Sequence, residues 1–206
     1  MAENIVVLPN GLSDGNAKLA DKFDVMDYID LKHRIIWLQD EIDVDTLLIA
    51  RQIYEWNRID CKIRPKDRKP IKLMFFSPGG LLDVCMSMID VIDSSVTPIY
   101  GINMGVCASA AAFIFLACHR RYMLPHSYFL FHRGQGALSG SYGEVVSALQ
   151  DYQDQVNELS DIVNKYTNFP KGEIDECIIG EWYIRKEEAV AKGVVDEVIT
   201  NIEELL

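Results

Sequence analysis

Ile71-Lys72-Leu73-Met74-Phe75-Phe76-Ser77-Pro78-Gly79-Gly80 is a near-continuous apolar run that stops abruptly at a proline and two glycines. Runs of this kind belong to strands buried on both faces of a sheet. Helical spacing takes over at once, in Leu81, Val84, Cys85, Met88, Ile89 and Ile92. The pattern then repeats. Pro98 opens a strand over Ile99–Met104, Gly105-Val106-Cys107-Ala108-Ser109 ends it, and an apolar helix follows from Ala110 to Ala117. Tyr128-Phe129-Leu130-Phe131 reads as a further strand that delivers His132 at its end. Two successive strand–turn–helix units, each with glycine in the turn, predict an α/β fold with crossover connections.

Upstream of this core, Arg34–Leu38 has the pattern of a short strand, and Asp43 or Asp45 is placed to cap a helix bearing Leu47, Leu48, Ile53 and Tyr54. The basic stretch Lys62–Lys69 reads as a solvated loop. Residues 1–20 are polar, with Pro9, Gly11 and Gly15, and are expected to be a flexible N-terminal segment, either a propeptide or a pore-lining loop. The remainder, 21–206, is expected to form a single domain. Downstream, Val145, Leu149, Tyr152, Val156, Leu159, Val163 and Tyr166 alternate steps of four and three, a heptad seam on one long helix over about 144–166. Either the chain's own core or a second subunit covers that stripe.

The chain has 206 residues and a net charge of −11, which repels phosphate backbones and argues against nucleic-acid binding. No apolar run approaches the roughly 20 residues of a membrane span. The first residues lack a basic region followed by an apolar one, so a cytoplasmic location is the expectation. Five scattered cysteines and four histidines without ligand spacing give no support for a disulfide framework or a metal site.

Chemistry is expected at the two glycine-bearing turns, where strand ends and helix N-termini line the crevice of an open α/β sheet. Ser109 stands where a strand turns into a helix among small residues, as a nucleophile elbow would require, although the flanking Cys107 and Ala111 depart from G-x-S-x-G. An N-cap is the plainer reading of the same serine. His132, at a strand end before Arg133-Gly134, is placed to act as a general base or to sit satisfied at the edge of the core. His119 and His126 have no better claim. The backbone of Ser77-Pro78-Gly79-Gly80 is open to close approach, and with the Ala110 N–H it has the makings of an oxyanion hole; alone it is an ordinary turn.

Taken in order, SPGG with its apolar helix, GVCASAAAFIFLA, RYMLPHSYFLFH and the closing Glu187-Glu188-Ala189 with Gly193-Val194-Val195-Asp196 resemble the ClpP family of serine peptidases. The likeness covers roughly residues 23 to 200. It implies a ClpP/crotonase-like spiral of β-α units with a long protruding handle helix. It also implies Ser109 as nucleophile, His132 as base, and the backbone N–H groups of Gly80 and Ala110 as oxyanion donors. The handle would interlock two heptameric rings into a homo-oligomeric tetradecamer that takes polypeptide substrates. An AAA+ Clp ATPase or a ClpP paralogue would be its partner. No cofactor is needed for the chemistry, since ATP belongs to the unfoldase.

The chain also departs from the family pattern. The triad aspartate falls on Glu181, one methylene longer, with Asp175 the nearest aspartate as a substitute. Glu181 is otherwise a surface carboxylate. Alanine follows Ser109 where the family has methionine, Arg133-Gly134 replaces Gln-Pro, and the segment between serine and histidine is about two residues short. A divergent member is implied. Two other readings remain: a ring subunit without activity that regulates an active paralogue, and an acyl-CoA enzyme of the crotonase group.

Overall fold

The computed structural model describes residues 22–134, 137–170, 173–174 and 179–205. The expected N-terminal segment 1–20, Asp175 and Cys177 lie outside the described residues. The sheet is built from β1 (Ile35–Leu38), β2 (Ile71–Ser77), β3 (Ile99–Ala108), β4 (Arg120–Met123), β5 (Tyr128–Phe131), β6 (Trp182–Arg185) and β7 (Glu197–Val198). Its path is β1-β2-β3-β4-β7, every neighbour parallel, with β5 running parallel to β3 and β6 antiparallel to β5.

β3 is longer than the sequence pattern suggests, because it serves two neighbours in turn. Tyr100–Asn103 pairs with β4, and Val106–Ala108 pairs with β5. The expected end at Met104 is therefore corrected: backbone pairing carries the strand through Gly105 to the residue before Ser109. A register shift between β2 and β3 falls at the same place, and the Phe76 ring lies where a Cβ on Gly105 would be. β4, β6 and β7 carry no sequence signal of their own, being two to four residues long, with Met123 and Ile184 their only buried side chains.

Helices α1 (Lys22–Lys32), α2 (Leu47–Asp60), α3 (Leu82–Asp93), α4 (Ala110–Leu116) and α5 (Tyr142–Tyr166) surround the sheet. Asp43 caps a short 3-10 turn, Val44–Thr46, that leads into α2, and Thr46 completes its capping box. All seven residues of α4 are buried, as expected of a helix apolar on every face. α5 is divided. Val156, Leu159 and Val163 are buried in the core, whereas Tyr142, Val146 and Leu149 of its first half are exposed. Both candidate covers for the seam are thus relevant: the chain's own core takes the second half of the helix and leaves the first half bare.

At the corner between α2 and β1, Asp60 is fully buried and accepts hydrogen bonds from Arg34 to both carboxylate oxygens and from the Thr97 hydroxyl. The Arg34 guanidinium holds the Asp60 carboxyl below the usual carboxylate range, against the opposing effect of desolvation.

Candidate active site

Ser109 is the one residue between β3 and α4, and it makes the turn with φ 51° and ψ −128°. A side chain at positive φ is sterically disfavoured and costs about 1–3 kcal/mol, so packing must hold it there. The Ser109 N–H donates to Leu130 O at 2.8 Å, which extends the β3–β5 pairing one step past the strand. Gly79 closes the other side: a Cβ there would lie 2.6 Å from Ser109 Cβ and 2.7 Å from Ala108 O. Gly79, with φ +99°, is therefore required on two counts.

The SPGG turn is fastened by its backbone. Ile42 N–H donates to Gly79 O at 2.8 Å, and Leu81 N–H donates to Ile42 O at 2.7 Å. Gly80 sits between these bonds, where any Cβ would meet Ile42 O at 2.2 Å. Among the described residues, neither the Gly80 N–H nor the Ala110 N–H has an acceptor. Both line one cavity of about 370 Å³ together with Ser109, His132 and Tyr152. A larger cleft of about 470 Å³ lies between α2 and α3, lined by Ala50, Ile53 and Val91, and includes neither Ser109 nor His132.

His132 leaves β5 directly beside the elbow. Its Nε2 lies 2.7 Å from Ser109 Oγ, within direct hydrogen-bond reach, and both residues are partly buried. The loop that follows is tied to α5: the Tyr152 hydroxyl donates to Arg133 O at 2.9 Å, and Gly134 leaves room for that hydroxyl. Tyr152 was legible as a seam residue but not as a polar one, because periodicity reports the ring and not the hydroxyl.

Glu181 immediately precedes β6. The antiparallel register pairs Phe131 with Trp182, so one step past the end of the ladder sets Glu181 across from His132. Its carboxylate accepts from the Tyr183 hydroxyl at 2.8 Å. No acceptor among the described residues is within hydrogen-bond range of His132 Nδ1.

Three thiols lie in the core around the elbow. The Cys85 thiol donates to Ala110 O at 3.3 Å, and burial pushes its pKa up to about 12. Burial also raises the Cys107 and Cys118 thiols well above their ordinary value. Protonated thiols are poor nucleophiles, and none of the three lines the cavity that holds Ser109 and His132. Among the described residues, no three His, Cys, Asp or Glu side chains gather to hold a metal, and no helix is long and apolar enough to cross a membrane.

A parallel β-α sheet whose central strand turns into a buried helix at a serine, with a histidine from the next strand against it, defines an α/β chain with a hydrolase-like elbow. The Clp protease family profile matches residues 17–202, and the chain belongs to that family. A relative described as an ATP-dependent Clp protease proteolytic subunit, from Dehalococcoides mccartyi, is 28% identical over 205 residues, covering 98% of this chain and 97% of its own length. An ATP-dependent Clp protease proteolytic subunit 2 from Treponema denticola is 26% identical over 135 residues, covering 65% of this chain and 68% of its own length. In fold, the chain is similar to a ClpP1 variant from Listeria monocytogenes, with a TM-score of 0.75 at 19% identity, over 88% of this chain and 99% of that one.

Proposed function

We propose that this chain is a serine endopeptidase subunit of a Clp-type protease. The observation that carries the reading is the 2.7 Å approach of Ser109 Oγ to His132 Nε2 at a strained strand-to-helix turn. His132 Nε2 takes the hydroxyl proton as Ser109 Oγ attacks a peptide carbonyl. The Gly80 and Ala110 N–H groups, both without acceptors among the described residues, stabilise the oxyanion. His132 then protonates the leaving amine, and water, deprotonated by the same imidazole, releases the acyl group from Ser109. Glu181 is the third member, orienting the imidazole and stabilising its protonated form; Asp175 is the alternative. The chemistry calls for no cofactor.

The substrates are unfolded polypeptides, delivered by an ATP-driven unfoldase to a chamber in the cytoplasm. The exposed apolar residues on the first half of α5, Val146 and Leu149 among them, suit a second copy of the chain, in heptameric rings stacked as a tetradecamer. A partner paralogue in mixed rings would use the same surface.

The second reading is a ring subunit that scaffolds an active paralogue. It is favoured by one observation, that Glu181 bonds to Tyr183 and not to His132. Hydrolysis of short fluorogenic peptides by the purified assembly separates the two. The peptidase reading expects turnover that vanishes in Ser109→Ala and His132→Ala while ring size is unchanged by sedimentation. Intact rings that never cleave, alone or with added unfoldase, would overturn it.

A further inference from the structure

Glu181 has one more rotatable bond than the aspartate whose role it is proposed to fill, so something must hold its carboxylate near the imidazole. The strand geometry identifies a candidate. Alternate residues of a strand share a face, and on β5 and β6 the two faces differ sharply. Phe129, Phe131 and Ile184 point into the core, whereas Glu181, Tyr183 and Arg185 are exposed on the opposite face. Tyr128 and His132 share that outer face by parity. The register pairs Leu130 with Tyr183 and Tyr128 with Arg185.

Contacts run along this face in a continuous series. The Arg185 guanidinium lies over the Tyr128 ring at 5.6 Å. Tyr128 packs against the Tyr183 ring at a centroid distance of 5.9 Å. The Tyr183 hydroxyl donates to Glu181 Oε2 at 2.8 Å. That bond leaves Oε1 without a hydrogen-bond donor among the described residues, one register step from His132. With Nε2 facing Ser109 Oγ, the neutral imidazole that serves as base carries its proton on Nδ1.

We propose that Tyr183 is a positioning residue: its hydroxyl anchors one oxygen of Glu181 on the outer face of the β5–β6 ladder, so that the other accepts from His132 Nδ1–H. This rests on the peptidase reading above. Tyr183 touches neither Ser109 nor His132 and acts only through the carboxylate. An exposed tyrosine–carboxylate pair two residues apart adds little to stability, so its consequence is orientation. Ser109, Arg133 and Tyr152 line the same cavity as His132, and the hydrogen bond of the Tyr183 hydroxyl goes to Glu181.

The test is a double-mutant cycle on the rate constant for fluorophosphonate labelling of Ser109 and on peptide kcat and KM. Tyr183→Phe should slow labelling about tenfold, the order of effect expected from losing one hydrogen bond, with kcat lowered and KM unchanged. In Glu181→Ala, where the carboxylate is already gone, adding Tyr183→Phe should cost nothing more. Equal losses in both backgrounds would mean a merely structural tyrosine and overturn the inference. So would a silent Tyr183→Phe in an otherwise reactive chain. A wild type that never labels is a different failure: it sinks the peptidase reading, and this positioning role with it. The hydrogen bond has a readout apart from activity. It raises the Tyr183 phenol pKa, so Glu181→Gln should lower the titration midpoint of that phenol, and an unmoved midpoint would mean that the phenol does not anchor Glu181.

Discussion

Asp60, the last residue of α2, and Glu181, just before β6, are carboxylates whose surroundings differ in a way that separates architecture from chemistry. Asp60 has no exposed surface, and both its oxygens are taken by groups fixed elsewhere in the chain, Arg34 and Thr97. Glu181 is exposed, and among the described residues its hydrogen-bond partner is the Tyr183 hydroxyl. A buried carboxylate must have its acceptors filled, because an unpaired one costs several kcal/mol. An exposed one is under no such demand and keeps an oxygen available. The first corner holds α2 to β1; the second stands one register step from His132 with capacity to spare.

That contrast breaks first at Asp60. Asp60→Ala should lower unfolding stability by about 3–5 kcal/mol, since it leaves the Arg34 charge partly buried and unpaired. Chemical denaturation measures this, and the folded fraction should still label at Ser109. Glu181→Ala should do the reverse. Stability should move by less than about 0.5 kcal/mol, while labelling slows about a hundredfold, roughly 2.7 kcal/mol on the barrier. A buried triad carboxylate is worth more, and the exposure of Glu181 is the reason for the smaller figure.

Acid acts on Asp60 through its depressed pKa. The folded-state pKa of Asp60 is depressed by Arg34. Its stabilising contribution is therefore fully present above the unfolded value, about 3.9, and is lost as pH falls through the lower folded value. Stability should thus decline below about pH 4, and Asp60→Asn should flatten that part of the curve in thermal melts. The smallest effect belongs to an apolar counterpart of Glu181. Leu149, 54% exposed on α5, should change chain stability by less than about 0.5 kcal/mol when replaced by alanine. The same change should lower the mass measured by sedimentation at limiting concentration, because its partner is expected in another copy.

How far these features could be read beforehand follows the same division between interior and edge. The apolar runs at Ile71–Phe76 and Tyr128–Phe131 and the helical spacing after SPGG announced the parallel core, since burial on both faces leaves a dense signal in the sequence. β4, β6 and β7 left none, being short strands whose side chains partly face solvent. The Ser109 turn was legible from small residues in order, yet its positive φ depends on Gly79 across the turn, which no local pattern encodes. Glu181 could be assigned only by likeness. Its position across from His132 is a property of the β5–β6 register, fixed by pairing between segments some fifty residues apart. Tyr152 was missed as a polar group because its ring satisfies the seam while its hydroxyl bonds to Arg133 O, and Tyr183 because it stands exposed on β6, which has no pattern of its own.

Whether the elbow holds an activated serine is read from the intact mass of the assembled protein after fluorophosphonate treatment, followed by peptide mapping. One adduct per chain is expected, located on Ser109, absent from Ser109→Ala and strongly reduced in His132→Ala. No adduct on correctly assembled rings, or an adduct that persists when Ser109 is replaced, would contradict it.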